Sequence, residues 1–208
     1  MIDVSKKVYI SADYDCEDGD SNVAEILNKW GKDNKRIVEF IDMAKVVSGS
    51  VSEDPDCRAC DLKNEFNKQI NVSSVVIFIV GDKTRKRKAG SICPRVHNIY
   101  SNSNSKCTPY KGNANGLCDC KVKRLIKQKD TTDINYVNDY SYLQHEFEQA
   151  KFKGKDIIIL YNSSRKENHW LPSYMSGYEE IAEPFWVKNE KGSYVENYKY
   201  IKKRLGYE

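Results

Sequence analysis

Apolar positions along the chain fall into two rhythms. The first is short and nearly unbroken. Lys7-Val8-Tyr9-Ile10-Ser11, Arg36-Ile37-Val38-Glu39-Phe40-Ile41-Asp42, Ser74-Val75-Val76-Ile77-Phe78-Ile79-Val80 and Asp156-Ile157-Ile158-Ile159-Leu160-Tyr161 are β-branched and aromatic runs of strand length. The third is continuously apolar, as in a strand covered on both faces of a parallel sheet. The second rhythm is helical. Val23, Ile26, Leu27 and Trp30 share a face over Asn22 to Trp30, with Asp20 or Ser21 as cap and Gly31 as stop. A further helix is predicted from near Cys57 to Ile70, with Leu62, Phe66 and Ile70 on one face, and another from about Tyr140 to Lys151. Phe185-Trp186-Val187 predicts a short last strand. Tyr194 to Leu205 predicts a terminal helix whose basic end suits the helix dipole.

Strand and helix therefore alternate, which predicts an α/β fold: a doubly wound parallel sheet with right-handed crossovers. Ligands bind such sheets beyond the carboxyl ends of the strands. The loops there are Ser11 to Asp15, Asp42 onward, Gly81 to Thr84 and Asn162 onward. Between residues 85 and 139 the periodicity disappears, and a structureless connection of that length is unusual inside a compact domain. The reading is one domain over residues 1–208 with a large irregular insertion, 85–139, before the third main helix.

Composition narrows the class. With 34 basic and 30 acidic residues the net charge is +4, too mild to imply nucleic acid. No run approaches the ~20 apolar residues of a membrane-spanning helix, and the N-terminus leads into a strand without the shape of a signal peptide. A cytoplasmic protein is expected, its seven Cys being thiols or metal ligands and not disulfides. Cys57-Arg58-Ala59-Cys60 is an isolated C-x-x-C. Cys93, Cys107, Cys118 and Cys120, with His97 nearby, are the ligand types of a structural zinc site that would give the insertion a core; free thiols in a loop are the plainer alternative. The basic run from Arg85 to Arg95 is more often a solvated loop than a phosphate contact.

The candidate chemistry centres on Tyr142-Leu143-Gln144-His145-Glu146. Tyr142 and Glu146 stand four residues apart, on one helix face. An aromatic face beside one carboxylate can hold a flat cationic ring and stabilise positive charge next to it. Glu148, the other carboxylate of this helix, points elsewhere, and His145 reads as a packing or surface histidine more readily than a general base.

These segments resemble the TIR-like proteins related to the Toll/interleukin-1 receptor domain. The likeness rests on Lys7-Val8-Tyr9-Ile10-Ser11-Ala12-Asp13-Tyr14 as the opening strand. It also rests on Ile79-Val80-Gly81-Asp82-Lys83-Thr84 followed by an aromatic-x-x-x-Glu helix and an apolar strand. It covers residues 6–84 and 140–161 and is similar, within the family, to the TIR-like subunits of Thoeris antiphage systems. Tyr142 stands where a Trp is usual, and the insertion delays the helix. The resemblance implies a flavodoxin-like fold that cleaves the nicotinamide–ribose bond of NAD⁺, as substrate with no required cofactor. The implied product is a cyclic or conjugated ADP-ribose messenger for a separate effector, made in response to a phage-derived trigger. It implies Glu146 as catalytic residue and Tyr142 as the ring platform. Ser11, Asp13, Tyr14, Gly81, Asp82 and Thr84 would line the pocket, with backbone N–H groups at Gly81 to Thr84 near phosphate. Two other classes fit the same residues: a non-catalytic TIR-like assembly module, and another flavodoxin-like N-glycosyl-bond enzyme of the nucleoside deoxyribosyltransferase kind.

Overall fold

A computed structural model describes residues 6–12, 19–32, 38–42, 65–87 and 141–207, with only the backbone at 38, 39, 41 and 42. Five strands, β1 (Lys6–Ser11), β2 (Val38–Asp42), β3 (Val75–Val80), β4 (Asp156–Tyr161) and β5 (Glu183–Pro184), form one sheet in the order β2-β1-β3-β4-β5. Every neighbouring pair in it is parallel. The helices are α1 (Asp20–Gly31), α2 (described over 65–72), α3 (Tyr142–Phe152) and α4 (Tyr198–Arg204). The expected α/β alternation is therefore present. Among the described residues no helix is long and apolar enough to cross a membrane.

The central strands β3 and β4 are apolar on both sides because helices cover both faces. Side chains alternate along a strand, and the alternation sorts β3 cleanly. Val75, Ile77 and Ile79 pack with Val8, Ile10, Ile158 and Leu160 beneath α1 and α4, through Val23, Ala24, Leu27, Ile201 and Leu205. Val76, Phe78 and Val80 turn the other way, with Tyr9, Ile157, Ile159 and Tyr161, beneath Ile70 of α2 and Leu143, Phe147 and Ala150 of α3. All six β3 side chains are buried. Each such side chain contributes roughly 1.5–3 kcal/mol by leaving water.

Several boundaries differ from expectation. Neither Asp20 nor Ser21 caps α1. Gly19, in the left-handed conformation at φ 70°, takes the cap position, and Asp20 becomes the first helical residue with its side chain buried. Gly31 lies inside α1, and Lys32 ends it. The predicted strand Phe185–Val187 is shifted: β6 (Trp186–Lys188) pairs antiparallel with β7 (Tyr194–Glu196), and the preceding Glu183–Pro184 joins the sheet at its edge, where Pro is tolerated. The terminal helix therefore begins at Tyr198 and not Tyr194. Turn chemistry explains the change. Asn189 Oδ1 accepts from the N–H groups of Lys191 and Ser193, and Gly192 reaches φ 77°, closing a hairpin that helical periodicity does not register. The start of the helix predicted from Cys57 lies outside the described residues.

Candidate active site

Ser141 starts α3, its Oγ accepting the Gln144 N–H at 3.0 Å. From that start Leu143, Glu146, Phe147 and Ala150 share the helix face turned to the sheet, and all four are buried. Glu146 thus occupies a slot that the helical rhythm would fill with an apolar residue. Its carboxylate meets β1. Tyr9 and Ser11 are two residues apart and so lie on one side of the strand. Tyr9 Oη donates to Glu146 Oε1 at 2.6 Å, and Ser11 Oγ donates to Glu146 Oε2. All three residues are fully buried.

On another side of α3, His145 and Tyr142 meet α2. His145 Nε2 lies 3.0 Å from Asn67 Oδ1, both side chains being buried, so the ring is a packing histidine as expected. The half-buried Tyr142 meets Phe66 edge-on, with centroids 5.7 Å apart. Its ring therefore has a hydrophobic support on one side. Glu148 is half-buried.

A second polar node lies at the carboxyl ends of β3 and β4. The Gly81 N–H donates to Thr84 Oγ1 at 2.9 Å, and the Thr84 N–H returns to Gly81 O at 3.2 Å. The Gly81 amide offered above to a phosphate is thus engaged within its own turn. Asp20, 1% exposed, lies against the Cα of Gly81 and accepts from Asn162 Nδ2 at 2.8 Å. Asn162 Oδ1 in turn accepts from Trp186 Nε1 at 3.4 Å. A carboxylate in the first turn of α1 also suits the helix dipole. Asp82 is exposed.

Below this node Tyr161 Oη donates to Asn168 Oδ1 at 3.0 Å. Burial, then the charges of Glu179, Glu167 and Glu183, push the Tyr161 hydroxyl up to about 12. Glu167 is held below the usual carboxylate range, chiefly by its hydrogen bond from Arg165 at 2.6 Å.

Of the residues proposed from sequence, the fold brings Ser11 and Glu146 into contact and links Gly81 to Thr84. Asp13 and Tyr14 lie outside the described residues, as do Cys57, Cys60, Cys93, His97, Cys107, Cys118 and Cys120. Among the described residues no group of three or more His, Cys, Asp or Glu side chains is placed to hold a metal. Tyr9, Asp20 as a buried anion, and Asn162 were missed. The phenol two residues before Ser11, in a strand with a carboxylate-bearing helix to follow, was a readable signal for Tyr9. Nothing in the pattern announced the Asp20–Asn162 link, which joins residues 142 positions apart.

No protein-family model matches the chain, and no curated protein matches it either. Fold and site together define an α/β protein with helices on both faces of a parallel sheet and an inward carboxylate held by two hydroxyls of its first strand.

Proposed function

We propose that this chain is a TIR-like enzyme of flavodoxin-like fold that cleaves the nicotinamide–ribose bond of NAD⁺, producing a cyclic or conjugated ADP-ribose messenger for an effector in antiphage defence. The observation that carries the reading is Glu146 in a core-facing slot of the helix after β3, its oxygens bonded to Tyr9 within β1 and to Ser11 at its end. Burying a carboxylate is costly. An apolar side chain there would serve packing at lower cost, which supports a chemical use for the acid. The strand order β2-β1-β3-β4-β5, shared with flavodoxin-like sheets, supports the same reading.

The chemistry asks little of the protein. The C1′–N bond breaks with its electron pair leaving on the nicotinamide, which departs neutral because its ring was cationic. The ribose carbon becomes oxocarbenium-like. The Glu146 carboxylate stabilises that charge and orients the ribose hydroxyls, and Tyr142 offers a ring face to the nicotinamide. Water, losing a proton, or a nucleophile of the same dinucleotide then captures the cation. Substrate must reach Glu146 Oε2, so a ribose hydroxyl takes the place of Ser11 Oγ on that oxygen.

Mass spectrometry of NAD⁺ products from cells expressing the protein and challenged with phage tests the reading. Wild type should release nicotinamide and an ADP-ribose product. Glu146→Gln should lower both at least about a hundredfold, and undiminished release in that variant overturns the assignment. The complete burial of Glu146 favours a second reading, a non-catalytic TIR-like assembly module in which the acid ties α3 to β1. There NAD⁺ stays intact and Glu146→Gln alters stability alone. Cleavage of nucleosides in place of NAD⁺ would point to the deoxyribosyltransferase-like class.

A further inference from the structure

We infer that Tyr9 is the positioning residue of Glu146, holding Oε1 so that Oε2 alone is presented to the sugar; the inference rests on the catalytic reading of Glu146. The two carboxylate oxygens are not equivalent. Oε1 is bound by a phenol in the middle of β1, paired in register with Ile41 of β2 and Val76 of β3. Oε2 is bound by Ser11, the last residue of that strand. Both side chains are buried, but displacing the phenol ring opens the core, whereas the Ser11 hydroxyl leaves Oε2 by rotation about a single bond. Tyr9 therefore fixes the carboxylate plane and favours its ionised form, and Ser11 keeps the sugar's place.

The surroundings make this assignment specific. β3 carries no titratable side chain between Val75 and Val80. On α3 the neighbouring His145 is turned to Asn67 of α2. Glu65 and Lys68 of α2 pair with each other at 2.7 Å, with Lys68 exposed. Lys6 and Lys7 belong to the start of β1, and Tyr161 of β4 binds Asn168. The phenol of Tyr9 donates to the Glu146 carboxylate from within the sheet.

The test uses Tyr9→Phe, which keeps the ring and removes the donor, beside Ser11→Ala. In Tyr9→Phe, kcat for nicotinamide release should fall about 10- to 100-fold with KM little changed, and the acid limb of the pH–rate profile should move up. In Ser11→Ala, KM should change more than kcat. A readout that needs no turnover is the side-chain carbon resonance of Glu146 in protein labelled at glutamate, assigned by its loss in Glu146→Gln. Its titration midpoint should rise by about one pH unit in Tyr9→Phe. An unchanged midpoint, in protein with native circular dichroism, overturns the role given to Tyr9. A raised midpoint in a protein whose wild type releases no nicotinamide in phage-challenged cells leaves the hold on the carboxylate standing and overturns the reaction instead.

Discussion

Adding one methyl group at Gly81 should unseat a buried anion. A Cβ built there would stand 2.7 Å from both carboxylate oxygens of Asp20 and 3.1 Å from its Cγ. Contacts that short do not occur, so Asp20 must move. Its room to do so is small: the side chain is short, 1% exposed and bonded to Asn162 at 2.8 Å. Moving it strains a packed site by about 1–3 kcal/mol. Weakening the bond to the charged oxygen adds about 1.5–3 kcal/mol. Against this, alanine restricts the unfolded chain by about 0.4–1 kcal/mol, and Gly81 is not among the glycines with positive φ, so alanine fits its backbone. The balance for Gly81→Ala is a loss of about 1.5–5.5 kcal/mol, or a melting temperature lowered by about 3–20 °C for a chain of this size. Urea unfolding followed by circular dichroism measures it. The pairing with Asp20 is isolated by a double-mutant cycle. Asp20→Gly alone should destabilise, and adding Gly81→Ala to it should cost nothing further. A Gly81→Ala protein as stable as wild type refutes the reasoning, as does an equal loss in the Asp20→Gly background.

Two further outcomes follow from the geometry around the site. Ser141→Ala should cost about 1 kcal/mol and Ser141→Gly only a few tenths, because the lost bond is the cap of the helix that carries Glu146; denaturant midpoints distinguish the two. Tyr161 titrates near 10 when unfolded and about 12 when folded, so its contribution is fully present below pH 10 and is lost as pH rises from 10 to 12. Over that window wild type should lose stability relative to Tyr161→Phe, by at most about 3 kcal/mol, and parallel curves for the two proteins would count against the burial of that hydroxyl.

Much of the fold was legible because burial on both faces leaves a simple mark. The strand from Val75 to Val80 is apolar at every position, and the structure buries every one. The helix over Tyr142–Phe152 and the strand over Asp156–Tyr161 lie within two residues of expectation. Ends were less legible. Gly19 replaced Asp20 as the cap because backbone conformation, and not side-chain type alone, decides which residue stands outside the helix. The hairpin at Trp186–Glu196 was hidden because its register depends on hydrogen bonds to Asn189, a local turn that carries no periodicity.

The candidate site divides in the same way. By itself the sequence determined that Glu146 belongs to a helix following the strongest strand, and that Ser11 ends the first strand. Periodicity reports such neighbours because they are close along the chain. Only the tertiary structure decided that Glu146 turns inward and not to solvent, and that Tyr9 and Ser11, 137 and 135 positions away, supply its hydrogen bonds. It alone placed Asp20 against Gly81 and on Asn162. The physical reason is that a carboxylate's surroundings are set by which elements pack across the sheet. That choice is made by strand order and crossover, and no single stretch of chain records it.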